Sequence, residues 1–208
     1  KMHDPKAGVY GICLRGKPGW GDNMAFITTM VNSFGGQWFD MGWKPQLESK
    51  PWQDAIGFYV DLLKKYGPPG SSANSFNEIL ALYNEGKCAM WIDATIAASF
   101  ITDPKQSKVA NKVAFAQGPY SATQKGANWL WAWALAIPAG TKNAADAQKF
   151  ITWATSKEYI QLVARTKGWG HVPTGTRKST YANAEFLKAA VFAEAEKKAI
   201  ASADPNDS

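Results

Sequence analysis

Residues 76–95 read FNEILALYNEGKCAMWIDAT, and the order of signals within them decides the fold class. Ser75 precedes the run and Glu78 follows three positions later, a capping-box pairing that opens a helix which Gly86 closes. Residues 87–93, KCAMWID, are an apolar run of strand length, and small residues from 94 to 101 continue as a helix that ends before Asp103 and Pro104. The same order stands near the start of the chain. Residues 8–14, GVYGICL, suit a buried strand, and residues 15–21, RGKPGWG, form a glycine- and proline-rich loop. Asp22 then caps a helix whose apolar residues Ala25, Phe26, Met30 and Phe34 recur at helical spacing until Gly35 and Gly36. Repeated strand, loop and helix units predict an α/β fold with parallel strands.

The remaining chain extends this pattern. Residues 37–50 form a hairpin or irregular edge, and residues 51–66 an amphipathic helix with Pro51 in its first turn. A third strand is predicted at 113–117. A fourth is predicted at 128–138, NWLWAWALAIP, where alternation puts Trp129, Trp131 and Trp133 on one face. Asn143 caps a helix to 154, a second helix covers 155–165, and a glycine-rich stretch fills 168–180. Asn183 begins a last helix to about 201, followed by a polar tail.

Composition narrows the functions available. The 208 residues carry a formal charge of +6, but the cations are scattered lysines and the arginines are Arg15, Arg165 and Arg177 alone. Phosphate-tracking surfaces cluster their cations on one face, so no nucleic-acid partner is expected. The apolar runs fall short of the roughly 18 residues that a membrane helix needs. The chain begins at Lys1 with no charged-then-apolar leader, so a secretion signal is expected to have been removed or to lie upstream. Cys13 and Cys88 are either a disulfide or two buried thiols. His3 and His171 belong to no HExxH motif, no GxSxG is present, and RGKPGWG lacks the nucleotide-loop spacings. No catalytic residue, metal or cofactor is therefore expected.

In open α/β sheets a ligand lies beyond the carboxyl ends of the strands, which selects residues 15–23, 91–95 and 128–133. These supply indole faces, a guanidinium, carboxylates, amides and hydroxyls. Flat aromatic rings cover the C–H face of a polyhydroxylated ligand, while Asp, Asn and Arg hydrogen-bond its hydroxyls in pairs. Trp20 and Trp91 are assigned to ligand and Trp52 and Trp153 to packing, with the 129–133 row open to either. Asp93 ends an apolar run and needs a partner, either ligand or the N-terminus of the following helix. Arg15 contacts ligand or pairs with Asp93. Three functions compete. The first is a transport binding protein, the second a carbohydrate-active enzyme using two carboxylates such as Asp22 and Asp93, and the third a lectin-like module.

The segments GVYGICLRGKPGWGDN, VNSFGGQWFDM, FNEILALYNEGKCAMWIDAT and GANWLWAWALAIPAGTKNAADAQKFITWATSKEY together resemble extracellular solute-binding protein family 1, in its sorbitol- and mannitol-binding branch. The resemblance implies a periplasmic-binding-protein type II-like lobe, with a central mixed sheet and helices on both faces, truncated relative to two-lobed relatives. It further implies capture of a sugar alcohol or sugar in an interlobe cleft, delivery to the membrane subunits of an ABC permease, and a periplasmic location. Under it, 1–127 form the second lobe, 128–140 the hinge-crossing strand, 141–180 a part of the first lobe, and 181–208 the start of the return. The ligand residues carried over are Trp20, Asp22, Asn23, Trp91, Asp93, Thr95, Trp129, Trp131, Trp169 and His171, with Arg15 a further candidate. A chain lacking half of such a protein is expected to expose apolar surface and to self-associate.

Overall fold

The computed structural model describes residues 2–123 and 129–204. The chain divides into two units, Lys1–Trp129 with Lys198–Ser208, and Leu130–Lys197.

In the first unit, α1 (Asp22–Ser33) and α2 (Lys50–Tyr66) pack over the buried backbone of residues 11–14. Ile27, Met30 and Val31 of α1 and Trp52, Ala55 and Tyr59 of α2 recur every three or four positions, so each helix turns one apolar face inward. With Ile12 and Leu14 they make the main core. Each large side chain withdrawn from water contributes about 1.5–3 kcal/mol. Trp52 is 6% exposed, and its indole Nε1 donates to the carbonyl of Gln37 at 2.8 Å, which removes the cost of burying that N–H. The packing assignment for this residue is what the structure shows.

The start of the chain and the segment after α3 (Phe76–Asn84) run parallel. Tyr10 bridges Cys88 and Cys13 bridges Trp91, and the next pair in the same register is Arg15 and Asp93, also 78 residues apart. The bonds are Tyr10 N to Lys87 O at 2.8 Å, Ala89 N to Tyr10 O at 2.8 Å and Cys13 N to Met90 O at 2.9 Å. A disulfide joins Cys13 to Cys88 diagonally across this pairing, with Cα atoms 5.8 Å apart. Both sulfurs lie in a small core with Ile79. The predicted capping box opens α3, where Glu78 Oε2 accepts from Ser75 N at 2.9 Å.

Several expected elements differ. The parallel pairing consists of isolated bridges, and a central mixed sheet is not formed among the described residues. Residues 113–117 and 129–138 carry no bridge, and Asn128 lies outside the described residues. Alternation reports which face of a segment is apolar, whereas a strand also needs a neighbour for its backbone N–H and C=O groups. The helix expected from residue 94 is α4 (Ala97–Ile101) only. Asp22 is the first residue of α1 and not its cap, which is Gly21 at φ 106°. Residues 37–50 form a turn closed by a Phe39 to Pro45 bridge, inside which Asp40 Oδ1 accepts from Gly42 N and Lys44 N at 2.9 and 3.0 Å.

The second unit holds α5 (Ala144–Ala154), α6 (Lys157–Lys167), a 3-10 turn (Trp169–His171), the short α7 (Lys178–Tyr181) and α8 (Ala184–Ala189). The chain passes out of it through α9 (Ala193–Ala201). One helix was expected from 183 to 201. It breaks at Ala190, and the break turns Phe192 inward to meet Phe186 edge-on at 6.4 Å. Glu196 is buried and accepts from Tyr181 Oη at 2.7 Å and Thr174 Oγ1 at 2.8 Å, which fastens the glycine-rich stretch to α9. The packing role expected for Trp153 is met only in part: its ring meets Tyr159 of α6 edge-on at 5.0 Å, but α5 buries no residue and Trp153 is 43% exposed beside Phe150. A surface face and a core face give the same helical periodicity until something covers the face. Leu130, Trp131, Trp133 and Leu135 are exposed in the same unit.

Candidate ligand-binding site

Four of the predicted residues converge at the end of the parallel pairing. Arg15 Nε and Nη2 donate to Asp93 Oδ2 and Oδ1 at 2.8 and 2.6 Å, a two-pronged bond, and Nη1 reaches Asp22 Oδ1 at 3.4 Å. Trp91 Nε1 donates to Asp93 Oδ2 at 3.2 Å, and Ala94 N donates to Asp93 Oδ1 at 2.6 Å. The Arg15 side chain is 12% exposed and that of Asp93 3%, so the pair sits largely out of water. Burial works against the Arg15 charge, and the bonds and charges of Asp93 and then Asp22 outweigh it, holding the guanidinium above its ordinary value. Asp93 is thus satisfied by Arg15 and not by the start of α4. Arg15 makes the pairing with Asp93, one of the two readings open for it.

The network extends to residues that sequence reasoning did not select. Phe76 lies under the guanidinium, 5.4 Å from Arg15 Cζ to the ring centroid, and packs on Trp91 at 5.5 Å. Tyr83 holds Trp91 from another side at 5.6 Å. Tyr59 Oη donates to the Arg15 carbonyl at 2.6 Å. The loop carrying Trp20 is anchored by Gly16 N and Lys17 N, which donate to Asn74 O at 2.9 and 3.1 Å. Asn74 precedes the capping box by one position, and no motif marks a carbonyl that works through its backbone.

Gly16 is required by this anchoring. A Cβ there would lie 2.1 Å from Ser71 O, so the two loops touch backbone to backbone. Gly16→Ala is expected to cost roughly 1–3 kcal/mol through forced separation of the loops. A urea midpoint equal to that of the parent chain would contradict this.

Burial pushes the Tyr59 phenol up to about 12, with a bond from Asn23 opposing the shift. A phenol raised above its unfolded value of about 10 adds stability that is complete below pH 10 and is lost as pH rises through 12. Denaturation midpoints measured at pH 9, 10.5 and 11.5 should fall in that order, and the fall should be smaller in Tyr59→Phe.

Asn23 and Thr95 border this cluster, one and two residues along the chain from Asp22 and Asp93. Trp20 is 67% exposed at the loop tip, and Thr95 is exposed after Asp93. Asn23, on α1, engages Tyr59. Trp129 is 40% exposed. Trp131, Trp169 and His171 belong to the second unit, where Trp131 meets Trp133 edge-on at 5.7 Å and Trp169 Nε1 donates to Glu185 Oε2 at 2.5 Å. Two shallow cavities of about 570 and 610 Å³ share Tyr10, Pro68 and Pro69, and none of the candidate residues lines either.

The parallel pair thus ends in a buried ionic cluster of one guanidinium and two carboxylates, with the exposed indole of Trp20 on the neighbouring loop. The chain belongs to the bacterial extracellular solute-binding protein family, whose model matches residues 1–161. It is 53% identical over 206 residues to the mannitol-binding protein of Pseudomonas aeruginosa, covering 99% of this chain and 47% of that protein. It also superposes, at TM-score 0.94 and 59% identity, on an ABC transporter solute-binding protein of Agrobacterium vitis solved with bound D-mannitol, covering 98% of this chain and 49% of that one. A ribitol complex from Agrobacterium radiobacter matches at TM-score 0.83 and 21% identity, covering all of this chain and 51% of that one, and shares the fold. The fold is the periplasmic-binding-protein-like one. The two solved relatives are named as ABC transporter solute-binding proteins, and the chain spans about half the length of all three.

Proposed function

We propose that this chain is part of the periplasmic binding component of an ABC importer, and that the protein captures a hexitol such as mannitol and presents it to the membrane permease. The observation that carries the reading is the extent of the similarity, 53% identity over 206 residues, 99% of this chain, to a mannitol-binding protein. Trp20 supplies the exposed ring on which the C–H face of a polyol rests. Arg15 and Asp93 hold the two loop ends at a fixed spacing, and Asp22, Asn23 and Thr95 border them. Residues 128–140 cross to a first lobe, residues 141–180 belong to that lobe, and Trp129, Trp131, Trp169 and His171 meet the ligand from its side.

Tryptophan fluorescence of the longer protein, titrated with mannitol, sorbitol, glucose and maltose, tests the reading. A saturable response to a hexitol at lower concentration than to either sugar is the expected result, and silence toward both hexitols would refute it. Trp20→Ala is expected to weaken hexitol binding at least tenfold while moving the denaturation midpoint little, because most of that ring is already in water.

A further inference from the structure

The charge of the ligand can be argued further, on the assumption that the polyol-binding reading of this site is correct. Two features here would ordinarily draw an anion. One is the Arg15 guanidinium, whose planar fork matches a carboxylate or phosphate. The other is the N-terminus of the twelve-residue α1, reached through a glycine- and proline-rich loop of the kind that seats anions.

Both are filled by the protein's own carboxylates. Asp93 occupies the Arg15 fork through the 2.6 and 2.8 Å bonds. Asp22 occupies the first position of α1 at 3% exposure, with one oxygen turned to Arg15. The backbone N–H that follows it is spent as well, since Asn23 N donates to Lys17 O at 3.1 Å. The Glu78 carboxyl is held below its ordinary range by the backbone N–H groups of Ser75 and of Glu78 itself, with a lesser contribution from the charge of Lys17, the next cation along the loop. One guanidinium therefore faces two buried carboxylates, and the cluster keeps a net negative charge.

We infer that the site is built to reject anions: it accepts uncharged polyols and discriminates against their carboxylate and phosphate derivatives, with Asp22 and Asp93 as the specificity-determining residues. An uncharged hexitol brings hydroxyl donors that suit this field. A ligand anion about 6 Å from the cluster's one net negative charge, at the effective dielectric of a protein site, binds roughly 100-fold more weakly than its neutral counterpart.

Calorimetric titration of the longer protein with mannitol, mannonate and mannitol 1-phosphate tests this, because the three share one carbon skeleton. Mannitol binding with both anions weaker by tenfold or more is the expected result. If either anion binds within tenfold of mannitol, the inference falls and the polyol reading stands. If none of the three binds, the polyol reading falls and this inference with it. In Asp22→Asn, with folding checked by near-ultraviolet circular dichroism, the anion-to-mannitol affinity ratio should rise tenfold or more. An unchanged ratio in the folded variant overturns the assignment to Asp22, and if the variant does not fold the parent protein's affinities decide.

Discussion

Arg15→Met is expected to destabilise the first unit by about 3–5 kcal/mol, the usual cost of leaving a buried carboxylate without its cation. Three features make this position severe. The Asp93 side chain is 3% exposed and Asp22 is likewise buried, so the abandoned charges have little water to turn to. The lost bond is two-pronged, and Phe76 loses the guanidinium stacked on it. The pair also sits in register with the two backbone bridges, so its loss frees the end of the parallel pairing where Trp91 is placed. Urea denaturation followed by tryptophan fluorescence measures the effect. Arg15→Lys should recover only part of it, since an ammonium cannot make the fork. Arg15→Met combined with Asp93→Leu should recover more, because it removes the orphaned charge. A double variant less stable than Arg15→Met would show that the cost came from lost packing instead.

Removing the disulfide is the second large effect. Cys13 and Cys88 are 75 residues apart in sequence, and closing a loop of that length in the unfolded chain corresponds to about 4 kcal/mol in the chain-entropy account. Cys13→Ala with Cys88→Ala should therefore lower stability by about that amount, with a smaller added loss from the buried sulfurs beside Ile79. Denaturation of the parent chain with and without reductant separates the two contributions, because reduction opens the loop and keeps both side chains. Equal midpoints in the two conditions would remove the entropic argument. The same reduction should also lower hexitol affinity, since the bridge lies across the pairing that ends at Arg15 and Asp93.

Local signals carried much of the helical reading. The capping box at Ser75 and Glu78, the three-and-four spacing of Trp52, Ala55 and Tyr59, and the asparagine at 183, whose Oδ1 accepts from Phe186 N at 2.9 Å, act within one turn of the chain and are legible without tertiary context. The site was legible as a set of loops. Arg15, Asp22, Trp91 and Asp93 were selected because they follow apolar runs, and the structure brings those four into one network. What each of them touches was not legible. Asp22 was expected to cap a helix and instead turns to Arg15, while Asp93 was left between a helix end and a ligand and is held by the same guanidinium. Phe76, Tyr59 and the Asn74 carbonyl were passed over because their contributions come from a ring face, a hydroxyl reaching from another helix and a backbone oxygen.

The sequence by itself determined most of the helices, the caps at Ser75 and Asn183, the loops that border the candidate site and the family, since all of these rest on neighbours in the chain or on residue identity. Tertiary structure alone decided that residues 10–15 and 88–93 pair in a single register, that the pair of cysteines is bridged, and that one guanidinium meets two buried carboxylates. It also decided that residues 129–138 carry an apolar face without forming a strand, because a strand exists only where another segment accepts and donates its backbone bonds.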